Sequence, residues 1–329
     1  MEKLLNLKPS SVYRTFWKFA AERQRVFFRR MKKLEPPHTS DEILSQHRFT
    51  NAYRAADRVS QFLIRHVLYR GDPNPTEVVF RSLLFRTFNR IETWKYLSGA
   101  FGEIRYCEFT AERYARVLDE AFARGEKIYS SAYIMPSQSK KFCDRRKHRN
   151  HLNLISYMMR DNLTGRLEGT RTLSDVFDLF LKYPMFGPFL AFQFAIDINY
   201  SAILDFSEMD FVVAGPGARS GIRKCFGAST GITDADLIRY VTDRQEIDSR
   251  TFGEEFESLW GRPLQLIDVQ NLFCEVDKYA RIAHPDVLGI GGRTRIKRLY
   301  RPCENPIDYW FPPKWQLNAM VAAVDLAAA

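Results

Sequence analysis

The chain has 329 residues, a formal net charge of +10 and a pI near 9.3. Hydrophobic residues make up 45% and charged residues 27%, which excludes a disordered chain and leaves room for one large domain or two modest ones. The basic excess favours a polyanionic partner, nucleic acid first, although charge alone moves that expectation only modestly.

The five cysteines, Cys107, Cys143, Cys225, Cys274 and Cys303, are scattered and never spaced Cys-x-x-Cys. That argues against a disulfide framework or a zinc ribbon and fits a reducing cytoplasm. Met1 to Leu5 carry no signal-peptide pattern. The richest apolar stretch, Phe186 to Ile198, is interrupted by Gln193 and Asp197 and is too short to span a bilayer. A cytoplasmic protein without a membrane partner is therefore expected.

Residues 1–46 read as a basic, aromatic N-terminal arm, in which Arg14, Lys18, Arg23, Arg29 and Arg30 interleave with Tyr13, Phe16, Trp17, Phe19, Phe27 and Phe28. The spacing predicts a helix that stops at Glu35-Pro36-Pro37. Such a helix either lies on nucleic acid or docks on the body with its basic face solvated, and docking is the commoner outcome. Residues 47–302 read as the main helical domain and 303–329 as a C-terminal tail.

From Asn51, apolar residues at Ala52, Ala55, Ala56, Val59, Phe62, Leu63 and Val67 recur at three and four, predicting one helix. The next helices are expected from a Thr76 cap and from a Thr110 cap, then near 148–160 and 173–182. Few short β-branched runs occur, so the chain reads as mainly α with minor β.

Two cationic clusters stand out. One runs from Lys140 through Lys147 and His148 to Arg149. The other, Arg293, Arg295, Lys297, Arg298 and Arg301, follows the Gly289 to Gly292 turn. Each suits phosphate contact, and each is alternatively a solvated loop. His148 and His151 stand three apart, but no carboxylate or thiol partner is evident, so no metal site is expected.

Leu181 to Ala191 has the layout of a helix-hairpin-helix element, with Gly187 in the turn and amides at the second helix start able to hold a phosphate. An ordinary interhelical turn is the alternative. Asp210 stands a little over twenty residues past Gly187 and precedes Gly215-Pro216-Gly217. That glycine loop, with Arg219 and Lys224, suits phosphate contact, or else simply closes a turn. The Walker pattern Gly-x-x-x-x-Gly-Lys-Ser/Thr is absent. In Asp268 to Tyr279, Asn271, Glu275 and Lys278 would share a helix face, with Asp268 as cap and Gln270 beside it. Carboxylates and amides so placed suit base reading and proton transfer; a cap and a surface ion pair would use the same spacing. Asn89 and Glu92 cluster further upstream. Gln193 and Asp197, four apart in an apolar helix, imply a buried polar network or a base pocket.

Seven runs in order carry a family resemblance. They are Arg48-Phe49-Thr50-Asn51-Ala52-Tyr53-Arg54, Asp57-Arg58-Val59-Ser60-Gln61, Phe88-Asn89-Arg90-Ile91-Glu92-Thr93-Trp94, Ala132-Tyr133-Ile134-Met135, Lys147-His148, Ala214-Gly215-Pro216-Gly217-Ala218 and Asp268-Val269-Gln270-Asn271-Leu272-Phe273-Cys274-Glu275. Together they resemble the helical domain associated with 5-hydroxymethyluracil DNA kinase, allied to the alpha-glutamyl/putrescinyl thymine pyrophosphorylases. The resemblance implies a helix-hairpin-helix glycosylase-like fold and a role in DNA base hypermodification.

Three functions are compatible with these residues. The first is a transferase that displaces pyrophosphate from a 5-hydroxymethyluracil-derived base in duplex DNA. Asp210, Asp268 and Glu275 would be its acid–base candidates, with Arg219, Lys224, Gly215 and Gly217 on the leaving group. The second is a non-catalytic DNA-binding module serving a separate kinase or other base-modification enzyme. The third, less favoured, is a base-excising glycosylase, because Phe189 and Leu190 stand where such enzymes often carry a lysine. No cofactor is expected for any of them.

Overall fold

The computed structural model describes residues 8–228, 231–302 and 307–327. The leader reading on Met1 to Leu5 and the cysteine at Cys303 lie outside the described residues. In chain order the helices are α1 (Ser11–Met31), α2 (Glu42–Gln46), α3 (Arg58–Leu63), α4 (Pro75–Phe88), α5 (Ile91–Phe101), α6 (Ala111–Ala123), α7 (Lys147–Arg160) and α8 (Leu163–Glu168). They continue with α9 (Leu173–Leu181), α10 (Pro188–Asn199), α11 (Pro216–Phe226), α12 (Asp234–Asp243), α13 (Gln245–Thr251), α14 (Leu266–Ala283) and α15 (Asn318–Ala327). Among the described residues, β pairing is confined to the isolated bridges His47–Leu299 and Leu259–Arg262. The protein is mainly α.

The chain divides into two compact units. The first comprises Met1–Asp57, Phe211–Tyr309 and Gln316–Ala329; the second comprises Arg58–Asp210 and Trp310–Trp315.

The first unit is built on α11 against α14. Gly217 and Gly221 face that contact. A Cβ on Gly217 would overlap the Cys274 sulfur, and one on Gly221 would overlap the Phe273 carbonyl oxygen. Two glycines four apart thus let the helix backbones approach closely. Helix α1 lies across both. Its buried stripe includes Tyr13, Phe16, Trp17, Phe19, Phe27 and Phe28, and the Phe16 ring stands 4.8 Å from Phe273 and the Tyr13 ring 4.8 Å from Phe226. The Ser10 hydroxyl caps α1, accepting from Val12 N at 3.1 Å, and donates to the Lys224 carbonyl at 2.6 Å. The aromatic spacing of α1 therefore serves docking, not a free arm.

The second unit surrounds α4. Every residue of α4 from Glu77 to Phe88 is buried, as expected of a helix enclosed by neighbours on all sides. Helices α9 and α10 pack through Phe180, Phe186 and Phe194, with ring centroids 4.9–5.7 Å apart. The returning segment Trp310–Trp315 joins this unit: Trp310 N donates to Gln61 Oε1 at 2.6 Å, and Lys314 Nζ donates to the carbonyls of Asn199, Ser201 and Leu204.

Three local expectations change. Residues 51–57 form an extended turn with one 3-10 turn at Arg54–Ala56, and the helix begins only at Arg58. The buried alanines fit a helical stripe, but side chains, described below, hold this stretch open. At α4, Asn74 is the cap, accepting from the Thr76 amide at 2.9 Å, and Pro75 occupies the first turn, where its missing N–H costs nothing. At α14, Gln265 is the cap and Asp268 its reciprocal partner three residues on. Thr110 caps α6 as expected, and α7 and α9 fall where the periodicity puts them.

Candidate functional site

The first unit gathers carboxylates around the turn at residues 50–57. Asp268 is buried; its Oδ1 accepts from Arg54 N at 2.7 Å and its Oδ2 from Gln265 N at 3.0 Å. Glu275, two turns along α14, accepts from Thr50 N at 3.0 Å and pairs with Lys278 Nζ at 2.5 Å. Asp57 accepts from Asn51 N at 2.7 Å, and Asn51 Nδ2 donates to the Ala56 carbonyl at 2.7 Å. Arg23 of α1 donates through Nε to the Thr50 carbonyl at 2.9 Å. Three carboxylates and a buried guanidinium therefore close on one peptide turn.

The electrostatics differ among these groups. Burial raises Asp57 to about 7, and the neighbouring Glu275 charge adds to the rise against the Asn51 amide, Arg23 and Arg54. Burial likewise raises Asp268 to about 6, opposed by its two backbone amides. Burial lowers Arg23 to about 10, with the Arg30 charge acting in the same direction. The Arg23 Nη1 and Thr50 Oγ1 atoms are buried and have no hydrogen-bond partner among the described residues. Asp57 and Asp268 are thus the carboxyls of this cluster raised toward neutral pH, Asp57 the further.

The structure brings Asp268, Gln270, Glu275 and Gly215 into the first unit's interior. Gln270 is buried and its Oε1 accepts from Gly215 N at 3.2 Å. Asn271 is half-buried. The phosphate residues scatter. Gly217 lies inside α11 at the helix contact. Arg219 is exposed and pairs with Asp234 at 3.1 Å. Lys224 is buried, held by Asp277 through its carbonyl at 3.0 Å and its carboxylate at 3.5 Å, and burial lowers its pKa. Arg293 and Arg295 are exposed.

Asp210 belongs to the second unit, where it is exposed. That unit has its own buried polar network. Arg86 of α4 forms an ion pair with Asp197 of α10, donating through Nη2 to Oδ1 at 2.7 Å. Its Nη1 donates to Asn89 Oδ1 at 2.8 Å. Asn89 ends α4 in the left-handed conformation at φ +50°, which asparagine tolerates better than most residues. The Arg86 guanidinium lies 5.1 Å from the Tyr133 ring centroid, and Tyr133 stacks on Phe189 at 5.7 Å and 5°. Tyr133 itself is left-handed, at φ +55°. Gln193 is buried on the same helix as Asp197, whereas Glu92 is 59% exposed at its side chain and pairs with Arg90.

Gly187 is the N-cap residue of α10, exposed, at φ −99°, with open space where a Cβ would stand. The left-handed residue of this turn is Met185, at φ +70°. His148 is buried with Nε2 2.7 Å from Asp119 Oδ1, and burial lowers its pKa. Lys147 lies 4.7 Å over the Tyr129 ring. His151 bridges Tyr129 and the Pro136 carbonyl, and burial lowers it to about 4. The histidines are thus engaged within the unit.

Sequence reasoning missed Asp57, Arg54, Arg23 and Arg86. A signal for Arg86 was present: a buried Asp197 in an apolar helix demands a cation, and Arg86 stands three residues before Asn89.

The model of the family described as "5-hmdU DNA kinase, helical domain" matches residues 10–289. The chain belongs to that family. This helical-domain chain is similar to the 5-hmdU DNA kinase of Bacillus phage SP10, with 26% identity over 279 residues, covering 78% of this chain and 43% of the relative. It therefore spans less than half the length of that relative. No solved structure matches it. The family expectation drawn from the ordered motifs holds, and four of those motifs (the Arg48 run, Asp57, the Gly215 loop and the Asp268 run) meet within the first unit. No helix among the described residues is long and apolar enough to cross a membrane.

Proposed function

We propose that this helical-domain chain is a DNA base hypermodification protein, a transferase acting on a 5-hydroxymethyluracil-derived, pyrophosphorylated base in duplex DNA. The observation that carries the reading is Asp57. It is a carboxyl raised to about 7 by burial, set beside Glu275 and Arg23 within the stretch that matches the family. An amine nitrogen would form its bond to the 5-methylene carbon as the carbon–oxygen bond to pyrophosphate breaks. Pyrophosphate leaves with the electron pair, and the amine's surplus proton goes to the Asp57 carboxylate. The cationic segment after Gly292, in the same unit as Asp57, would hold the phosphodiester backbone, with the base drawn out of the stack. Phosphorylation of the base is assigned elsewhere, since these 329 residues hold no Walker pattern.

A second reading is a non-catalytic module that presents DNA to a separate kinase. One observation favours it: Asp268 and Glu275 are both occupied by backbone amides, as structural carboxylates are.

The test is incubation with duplex DNA carrying pyrophosphorylated 5-hydroxymethyluracil and a panel of amines, followed by nucleoside mass spectrometry. The transferase reading expects an amine adduct that disappears in Asp57→Asn. Unchanged nucleosides alongside retained duplex binding support the module instead. Neither turnover nor binding overturns both.

A further inference from the structure

The segment after the Gly289 to Gly292 turn runs along the chain at residues 46–48. Arg48 N donates to the Arg298 carbonyl at 3.0 Å, Tyr300 N donates to the Gln46 carbonyl at 2.9 Å, and His47 and Leu299 form an antiparallel bridge. Upstream, Arg281 Nη1 donates to the Arg295 carbonyl at 3.0 Å. Residues 298–300 are thus paired with residues 46–48, and the segment is held again through the Arg295 carbonyl.

Ile296 and Tyr300 are half-buried, and Tyr300 receives a hydrogen bond from Arg30 Nη2 at 2.6 Å. Arg293, Thr294, Arg295, Lys297, Arg298, Leu299 and Arg301 are all exposed. Among the described residues, Arg293, Arg295, Lys297 and Arg301 make no ion pair. Some surface arginines elsewhere are neutralised: Arg149 pairs with Asp119 and Glu112, Arg116 with Glu112, and Arg219 with Asp234. A run of exposed cations without ion pairs, on a segment held at Arg295, Arg298 and Tyr300, suits a polyanionic backbone, and it leaves the buried carboxylates of the same unit untouched.

We propose that Arg293, Arg295, Lys297 and Arg301 form a rail for one phosphodiester strand of duplex DNA, with Leu299 against the sugars between its last two cations. The rail rests on the DNA reading above and names the surface that performs it. It sets position and register without reading bases, since contacts of this kind carry no sequence information. Its occupant is a nucleic-acid backbone rather than an anionic membrane, because the matching family is described as a DNA kinase helical domain and no large exposed apolar side chain besides Leu299 accompanies the cations from Arg293 to Arg301.

The test is fluorescence anisotropy of a labelled duplex across a salt series, using the full chain. Wild type is compared with Arg293→Gln/Arg295→Gln/Lys297→Gln and with a control carrying Lys95→Gln, Lys127→Gln and Arg171→Gln, three exposed cations elsewhere. Each phosphate contact contributes about 0.9 to the slope of log affinity against log salt. The rail variant is expected to lose about 2.7 of that slope, and the control to keep it. All substituted side chains are exposed, so unchanged thermal unfolding is expected in both variants. Equal slopes in wild type and rail variant overturn the rail while leaving DNA binding intact. A rail variant that keeps its DNA slope but no longer binds phosphatidylserine vesicles assigns the strand to lipid instead. Wild type that binds no duplex even at low salt sinks the DNA reading itself.

Discussion

Asp57 shows how much one carboxyl can contribute when it is taken out of water. In the unfolded chain it titrates near 3.8, and in the folded protein near 7. Between those values the folded state holds a proton that the unfolded state has released. Its contribution is therefore fully present below about pH 4 and is lost as pH rises through 7, an effect on the order of 4 kcal/mol. Asp268, raised to about 6, acts in the same direction over a narrower window. Urea unfolding at pH 5 and pH 8 should give a lower midpoint at pH 8. Asp57→Asn keeps an oxygen for the Asn51 amide but has no charge to bury, so most of that difference should vanish. An equally steep pH dependence in the variant would contradict the assignment. Asp57 was legible as a member of a motif, not as a site: adjacency in sequence shows a charge but not its burial. The same holds for Arg23, which stands four residues from the docking aromatics Phe19 and Phe27 on either side, while its own partner, the Thr50 carbonyl, lies twenty-seven residues away.

Among the elements, the helices with strong caps and clean periodicity were readable: α6 from Thr110, and α7 and α9 from apolar spacing. The stretch at 51–57 was not, because Ala52, Ala55 and Ala56 fit a helical stripe equally well. Its conformation is dictated by distant groups, Asp268 on the Arg54 amide and Glu275 on the Thr50 amide. The Gly215 loop was misleading for a related reason. Glycine serves both close approach of a ligand and close approach of a helix, and at Gly217 the structure displays the second. Gly221→Ala should therefore cost about 1–3 kcal/mol or more by driving α11 off the Phe273 carbonyl. Gly187→Ala, with open space and a negative φ, should stay within about 0.5 kcal/mol. Thermal unfolding of the two variants side by side checks the contrast. In the second unit, Arg86→Met should cost about 3–5 kcal/mol, since it leaves Asp197 charged and buried without its cation. A loss under 1 kcal/mol would mean that the pair is solvated.

For the molecule as a whole, a net charge of +10 is distributed unevenly in its consequences. Many arginines are spent on internal bonds: Arg23, Arg54, Arg81 and Arg86 are all buried. Counting basic residues therefore overstates what a polyanion can meet. A single neutralisation at Lys147, half-buried over Tyr129, should change the salt slope of duplex binding by less than the 0.9 expected of a direct phosphate contact. Titrating Lys147→Gln in the anisotropy assay measures this directly; a full unit of lost slope would place that lysine on the backbone.

The chain order of the two units has its own outcome. The second unit is written almost entirely in Arg58–Asp210, whereas the first needs its opening fifty-seven residues, then Phe211–Tyr309, then the final stretch from Gln316. During translation the second unit can therefore close around α4 while α1, already synthesised, still waits for α11 and α14 to emerge. Its aromatic stripe, Tyr13 to Phe28, then stays uncovered until α14 has been made, an aggregation hazard that the order of the units itself creates.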